Sequence, residues 1–398
     1  YITALHNRQS ARLGAALSLY VHLPFCDTVC YYCACNKIAT KDRGRADVYL
    51  DYLELEIALV RAEFSFAPAV TQLHLGGGTP TFLTNLQLSR LMQMLKQAFD
   101  FTLDAECSIE ADPRRLNDGT LELLAAHGFN RMSIGVQDLD PAVQQAVNRL
   151  QPAALTQAVL EKGRALGYRS INLDLIYGLP KQSVRTMQAT LSTILTWRPE
   201  RIALYSYAHL PERFIPQRRI ESADMPNATE KLAMLKLAVT TLLEAGYVYI
   251  GMDHFALPED DLALALEQGT LQRNFQGYST QADCDLIALG VSAISRIGDT
   301  YAQNYRDLPA YYNALDQQQL PLAKGLVMTR DDELRRAVIH DLLCQSTLDI
   351  PSFEQAWGIE FANYFSLELA QLQPLERDGL VEITDDSIDI TPRGRFLA

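Results

Sequence analysis

Four cysteines fall within ten residues, in the run Cys26-Asp-Thr-Val-Cys30-Tyr-Tyr-Cys33-Ala-Cys35. Thiolates are soft ligands, so this density points to a metal centre. A structural zinc site pairs two Cys-x-x-Cys halves across a longer loop, and no second half lies nearby. An electron-transfer iron–sulfur cluster takes four thiolates. Cys26, Cys30 and Cys33 alone would hold a [4Fe–4S] cluster and leave one iron open to a small chelating molecule. Cys35 admits two readings, a fourth ligand that closes the cluster or an unligated thiol beside it. The other three cysteines, Cys107, Cys284 and Cys344, are scattered. A tight cluster in an otherwise Cys-poor chain fits a reducing cytoplasm rather than a secreted disulfide framework.

A second group of residues falls where β-like runs end. Gly76-Gly77-Gly78-Thr79-Pro80 follows His74-Leu75, and three glycines let backbone approach a neighbour or a ligand closely. Glu110, Gln137 and Asp138, Asp174 and His209 end or follow four further runs. Arg149 is placed in a helix between the fourth and fifth. A charge at the end of a buried strand is costly unless something pairs with it. Each of these groups alone could be a cap or a structural hydrogen bond. Together at one end of a sheet they favour a ligand.

The elements that must carry them alternate. Strands are expected at Leu17–Leu23, Val70–Leu75, Glu106–Glu110, Arg131–Gln137, Ser170–Ile176 and Arg201–Tyr207. Helices are expected at Ala46–Glu63, Thr84–Ala98, Leu116–His127, Pro152–Leu166, Ser183–Thr196 and Ala228–Ala245. Six strand–helix repeats imply an α/β fold with a parallel sheet. Polar groups at strand after strand favour a partial (β/α)6, TIM-like barrel. From about residue 306 helices at Asp307–Gln319, Asp331–Cys344 and Phe353–Leu375 precede two alternating strands around Asp385-Asp386-Ser387. The expected division is therefore a barrel, 1–305, and a small, mostly helical, winged-helix-like domain, 306–398.

Among 398 residues, 48% are hydrophobic and 21% charged, and the formal net charge is −13. That balance argues against a phosphate-binding surface and hence against nucleic acid. No apolar run reaches the roughly 20 residues of a membrane span. No basic segment followed by an apolar block marks a signal peptide. Residue 1 is Tyr, so residues are expected ahead of it.

Cys-x-x-x-Cys-x-x-Cys after a first strand resembles the signature of radical S-adenosylmethionine (SAM) enzymes. That superfamily implies SAM on the open iron, cleaved to methionine and a 5′-deoxyadenosyl radical. The match widens through Leu19-Tyr-Val-His-Leu-Pro-Phe-Cys26, Leu73-His-Leu-Gly-Gly-Gly-Thr-Pro80, Gly135-Val-Gln-Asp138, Asp174-Leu-Ile-Tyr-Gly-Leu-Pro180, Gly251-Met-Asp-His-Phe255 and Asn274-Phe-Gln-Gly-Tyr278. These motifs are similar to those of the oxygen-independent coproporphyrinogen III oxidase family, with Cys35 and the Asn274–Tyr278 loop its most specific marks.

The resemblance implies decarboxylation of two propionates of coproporphyrinogen III to vinyls, giving protoporphyrinogen IX for haem synthesis. It implies cluster ligation by Cys26, Cys30 and Cys33, with Cys35 unligated. Tyr20, Gly77, Glu110, Arg149, Asp174, Ala208 and Ile294 would contact SAM. Tyr32, Gly78, Thr79 and Gln137 would line the site of a second SAM. Phe275 and Gln276 would lie near the reaction centre, on a loop able to close over it. Arg213, Arg218, Arg219 and Arg273 are candidates for the substrate carboxylates. A small electron carrier such as flavodoxin or ferredoxin, a monomeric state and further residues beyond Ala398 are also implied. The rivals are a haem chaperone of the same barrel, a haem-degrading radical SAM methyltransferase, and a plain electron-transfer protein with Cys35 as fourth ligand.

Overall fold

Alternation decides which face of each strand is polar. A computed structural model describes residues 1–11, 17–274, 277–281 and 284–397. In it β1 (Leu17–Leu23), β2 (Ala69–Gly77), β3 (Asp100–Ala111), β4 (Arg131–Gln137), β5 (Ser170–Tyr177) and β6 (Arg201–Ser206) pair in parallel and in consecutive order. Register aligns Leu19 with Leu73 and Leu73 with Cys107, then Ile109 with Met132 and Ile134 with Leu173. All are buried. The alternate positions align Tyr20, His74 and Ser108, then Glu110, Ser133 and Asn172, then Gly135 and Asp174. Side chains one residue apart point to opposite faces, so one face is apolar and the other carries polar groups. Consecutive order, with no reversal, is the winding of a barrel rather than of a doubly wound sheet.

The helices α1 (Gly44–Ala62), α2 (Asn85–Ala98), α3 (Thr120–Ala126), α4 (Ala153–Ala165), α5 (Val184–Trp197) and α6 (Ala228–Glu244) follow the six strands in turn. Thr84 and Ser183 cap α2 and α5 through reciprocal bonds with Gln87 and Thr186. Arg149 is not in a helix. The helix Pro141–Ala146 stops early, Asn148 in the turn beyond takes φ of 57°, and Arg149 follows that turn.

A seventh parallel strand was not expected. β7 (Asp285–Leu289) pairs with the free side of β1, and the antiparallel β8 (Ile294–Ile297), β9 (Thr300–Asn304) and β10 (Leu322–Val327) extend the sheet beyond it. The helix α7 (Leu308–Asp316) lies against α1, where Tyr312 stacks on Tyr52 at 4.0 Å between ring centroids. The chain therefore divides differently from 1–305 and 306–398. One compact unit comprises residues 1–245 and 283–327, the other 246–282 and 328–398. Residues 306–327 stay with the barrel because Tyr311 and Leu315 are buried and β10 completes a ladder with β9.

In the second unit Ile250, Leu262 and Leu271 of the inserted segment share a core with Cys344. Its C-terminal part packs Leu334, Leu348, Phe353, Phe361, Phe365 and Ile388 beneath a three-stranded sheet of Thr347–Asp349, Ser387–Ile390 and Val381–Ile383. The helix expected over Phe353–Leu375 is three pieces, Ile350–Trp357, Phe361–Tyr364 and Ser366–Arg377, because Gly358 ends the first in the left-handed region. Among the described residues no helix is long and apolar enough to cross a membrane. Phe275 and Gln276 lie outside the described residues.

Glu56 of α1 ties β7, β9 and α7 together. Its carboxylate accepts from Gly290 N at 2.7 Å, Asn304 Nδ2 at 2.6 Å and Tyr311 Oη at 2.6 Å. Burial pushes this carboxyl up from 4.5 to about 7 in spite of the three donors. A carboxyl raised by folding favours the folded state below its unfolded value and loses that contribution as pH rises through its folded value. Glu56→Gln should therefore flatten the pH dependence of unfolding free energy between pH 4.5 and 8, measured by urea titration. It should also cost about 1–3 kcal/mol, since an amide cannot accept from all three donors.

Candidate active site

The turn after β2 holds the cysteine loop. Gly78 N donates to Leu23 O at 2.9 Å. A Cβ on Gly78 would stand 2.7 Å from both the carbonyl carbon and the oxygen of Pro24, and one on Gly77, at φ of 119°, would stand 2.8 Å from His22. Gly78 is thus required by backbone packing, and Gly77 by its positive φ and the His22 ring. On the other side Ile38 N donates to Pro24 O and Thr40 N to Cys26 O, at 2.7 and 2.9 Å. Further along, Asn148 Nδ2 donates to Val29 O and Tyr31 N to Val147 O. The loop is anchored at both ends before any metal is considered.

This arrangement opens a cavity of about 320 Å³, lined by Cys26, Cys30, Tyr32, Cys33, Gly77, Gly78, Thr79, Glu110, Gln137, Arg149 and Asp174 of the expected residues. Cys26 and Cys30 are buried, Cys33 half-buried and Cys35 exposed. Cys35 also lines the cavity. Burial pushes the Cys26 thiol up to about 12, while a hydrogen bond with Cys35 and the nearby Lys37 draws Cys33 down to about 6. Glu110 Oε2 accepts from Gly77 N at 3.2 Å, and Oε1 lies 3.5 Å from His74 Nε2. Asp174 accepts from Ser133 Oγ at 3.0 Å and Asn172 Nδ2 at 2.7 Å. Burial, then the field of Glu110, raises its carboxyl to about 7. Gln137 holds φ of 71°, and its buried Oε1 has no partner.

Three expected residues do not line the cavity. Tyr20 stands behind it, stacked on His74 at 5.9 Å and bonded to His22 Nδ1 at 3.0 Å. Since His22 Nε2 faces Asn36 O, it carries the proton, and Tyr20 donates to Nδ1. Ala208 offers its carbonyl to Gln217 Nε2, which also donates to Tyr32 O. Ile294 begins β8, opposite Gln303. Asp138 and His209 are likewise elsewhere. Asp138 is buried and accepts from Asp140 N, Gln182 and Thr190, and His209 bonds Tyr207 at 2.9 Å. Arg218 donates to Pro211 O and Arg219 lies over the Tyr31 ring. Asp112, Arg114, Ser133 and Tyr205 line the cavity unforeseen. For Asp112 the signal was present, an Asp-Pro-Arg turn at the end of β3.

Residues 20–194 match the radical SAM superfamily, and residues 328–397 match the HemN C-terminal domain. The chain is 50% identical over 381 residues to the oxygen-independent coproporphyrinogen III oxidase of Salmonella typhimurium, covering 96% of this chain and 83% of that protein. Against the enzyme of that name from Pseudomonas aeruginosa it is 50% identical over 392 residues, 98% and 85% of the two chains. The chain belongs to the oxygen-independent coproporphyrinogen III oxidase family. The solved structure of coproporphyrinogen III oxidase (HemN) from Escherichia coli, described as a radical SAM enzyme, superposes with a TM-score of 0.95 at 48% identity, over 100% of this chain and 90% of that one.

The oxidase family's cofactors fit what lines the cavity. Four soft thiols, those of Cys26, Cys30, Cys33 and Cys35, share it with a buried amide oxygen, Gln137 Oε1, that has no protein partner. Among the described residues no three His, Cys, Asp or Glu side chains converge on a single metal ion. A cluster asks for something else, one thiolate on each iron that the protein ligates. Cys26→Ser, Cys30→Ser and Cys33→Ser should each lose the cluster after anaerobic reconstitution, while Cys35→Ser should keep its iron. Iron and acid-labile sulfide per chain decide it, and equal loss in Cys35→Ser would overturn the three-ligand assignment.

Proposed function

We propose that this chain carries out the radical SAM oxidative decarboxylation of coproporphyrinogen III, converting the ring A and ring B propionates to vinyls and giving protoporphyrinogen IX. The observation that carries the reading is the single cavity that joins the three cysteines to Glu110, Gln137, Arg149 and Asp174, in a chain half identical to enzymes of that name. When bound, the cluster and SAM supply one-electron cleavage chemistry that removes a hydrogen atom from a propionate β-carbon, after which CO₂ and an electron depart.

The chain's own residues bind and orient. Cys26, Cys30 and Cys33 would ligate the cluster, and Cys35 would stay unligated. Glu110 and Asp174 offer carboxylate oxygens suited to an ammonium group and to hydroxyls. Gln137 Oε1 offers an acceptor for a cofactor N–H or O–H. Gly77, Gly78, Thr79, Tyr32 and Arg149 would wall the SAM sites, and Tyr20, Ala208 and Ile294 would support them. Phe275 and Gln276 would lie by the reacting propionate. The same reading extends to two SAM molecules, a low-potential electron carrier such as flavodoxin or ferredoxin, a monomer, and a cytoplasmic setting. The haem-chaperone alternative is disfavoured by the identity of the relatives.

Anaerobic incubation with SAM, a reductant, coproporphyrinogen III and an electron acceptor should release two CO₂ per tetrapyrrole together with 5′-deoxyadenosine, followed by mass spectrometry. Formation of 5′-deoxyadenosine with unchanged tetrapyrrole would refute the substrate. Tight haem binding with neither product would favour the chaperone. Asp174→Asn should weaken SAM binding about tenfold, or ~1.4 kcal/mol. Because the Asp174 carboxyl is raised to about 7, SAM affinity should rise more steeply from pH 6 to 8 in the parent than in the variant, as read by equilibrium binding.

A further inference from the structure

The cysteine loop meets a buried charge cluster at Cys30. Asp112 ends β3, takes Thr81 Oγ1 as partner for its N–H at 3.2 Å, and caps the turn Pro113–Arg115 by accepting from Arg114 N at 3.1 Å. That turn folds Arg114 back over it. Arg114 Nε lies 2.9 Å from Asp112 Oδ1 and Nη2 2.7 Å from Oδ2, a bidentate pair. The same Nη2 reaches Cys30 Sγ at 3.9 Å. From the opposite side Arg149 Nη1 reaches Cys30 Sγ at 3.7 Å and Asp112 Oδ2 at 3.5 Å, and its Nη2 donates to Gly135 O at 2.6 Å. The Asp112 and Arg149 side chains are each 8% exposed and that of Arg114 is 15% exposed.

Two guanidiniums here share one carboxylate. A buried cation without a counter-charge is costly, and the remaining group both of them face is the sulfur of Cys30. Deprotonated and bound to iron, that sulfur would neutralise the cluster of charges. The donors would also fix its direction, as outer partners do for metal ligands.

We propose that Arg114, held by Asp112, is a positioning residue for the iron–sulfur cluster, directing Cys30 Sγ and placing positive charge against it. This rests on the reading of Cys30 as a ligand. Positive charge and N–H donors at a cluster thiolate stabilise the reduced cluster and raise its reduction potential. Arg114→Gln keeps a hydrogen-bond donor but removes the charge, and Arg114→Lys keeps the charge but loses the bidentate fork.

The experiment uses the reconstituted full chain without SAM. Redox titration followed by EPR gives the cluster potential, and chelator challenge gives iron retention. The expected results for Arg114→Gln are a more negative potential and about 10–100-fold weaker iron retention. Arg114→Lys should restore the potential in part. Lys162→Gln, which removes a charge on the exposed face of α4, should match the parent and so excludes a net-charge effect. If Cys30→Ser loses iron while Arg114→Gln keeps the parental potential and retention, the inference falls. If Cys30→Ser keeps its iron, the ligand reading itself falls. Should Arg114→Gln fail to fold by circular dichroism, Arg114→Lys serves instead, read by iron retention, since it loses the fork that directs Cys30 Sγ. Parental retention there also overturns the inference.

Discussion

The site depends on a contact in which there is no room for a side chain. Gly78 lies against the Pro24 carbonyl so closely that a Cβ would sit inside van der Waals range of backbone. Backbone cannot step aside as a flexible side chain can, so this position tolerates hydrogen alone. The contact joins the end of β1 to the end of β2 just where the chain leaves the sheet. It sets Cys26 Sγ 3.4 Å from Thr79 Oγ1. It also frees Pro24 O to receive Ile38 N, which brings the returning chain beside Cys26. The spacing of the cysteines matters because this clamp fixes the start of the loop that carries them.

Around the clamp, charge is concentrated where the sheet's polar face reaches the strand ends. Glu110 raises the cost of ionising Asp174, and the pair Asp112–Arg149 is buried within the same wall. Such groups destabilise a fold unless each finds partners. Here the partners are mostly rigid: Gly77 N for Glu110, Ser133 and Asn172 for Asp174, Gly135 O for Arg149. The opposite face of the same strands is a layer of Leu, Ile, Val and Met at or near zero exposure. Apolar burial on one face therefore holds a polar arrangement on the other that would not persist alone. Gln137, in a left-handed backbone conformation, is where that arrangement leaves a buried side-chain oxygen without a protein partner.

Much of this was legible. The six strands and six helices were expected within a few residues of where they lie, because each strand alternates or runs apolar and each helix has a recognisable start. Cys26, Cys30 and Cys33 stood out by their spacing, and Glu110 and Asp174 because a carboxylate is costly at the end of a buried strand; the structure lines one cavity with all five. Asp138 shows the limit of that reasoning. It satisfies the same rule, yet Gln182 and Thr190 consume it as a structural acceptor. Partners so far along the chain leave no local trace. Arg149 was given a helix because nothing in Val147-Asn148-Arg149 announces a left-handed residue. Arg114 was passed over because its meaning comes from Cys30, 84 residues earlier.

The strand that escaped notice, β7, belongs with 283–327 to the unit of the first 245 residues, while 246–282 belongs to the other. It pairs with β1 across 268 positions, Leu17 against Asp285. The whole segment 246–282, which packs with Cys344 in the other unit's core, intervenes. Local periodicity cannot reveal a strand whose partner was laid down at the start of the chain. Its consequence is physical, since contacts of such separation carry a large closure entropy before they return any stabilisation. Glu56 lies where that closure is secured, bonding to the turn after β7, to β9 and to α7 from the first long helix. β1 is an interior strand only once β7 has joined it, and the residues leaving β1 are those that begin the cysteine loop. Completion of the sheet by this strand therefore flanks on both sides the strand from which the cysteine loop departs.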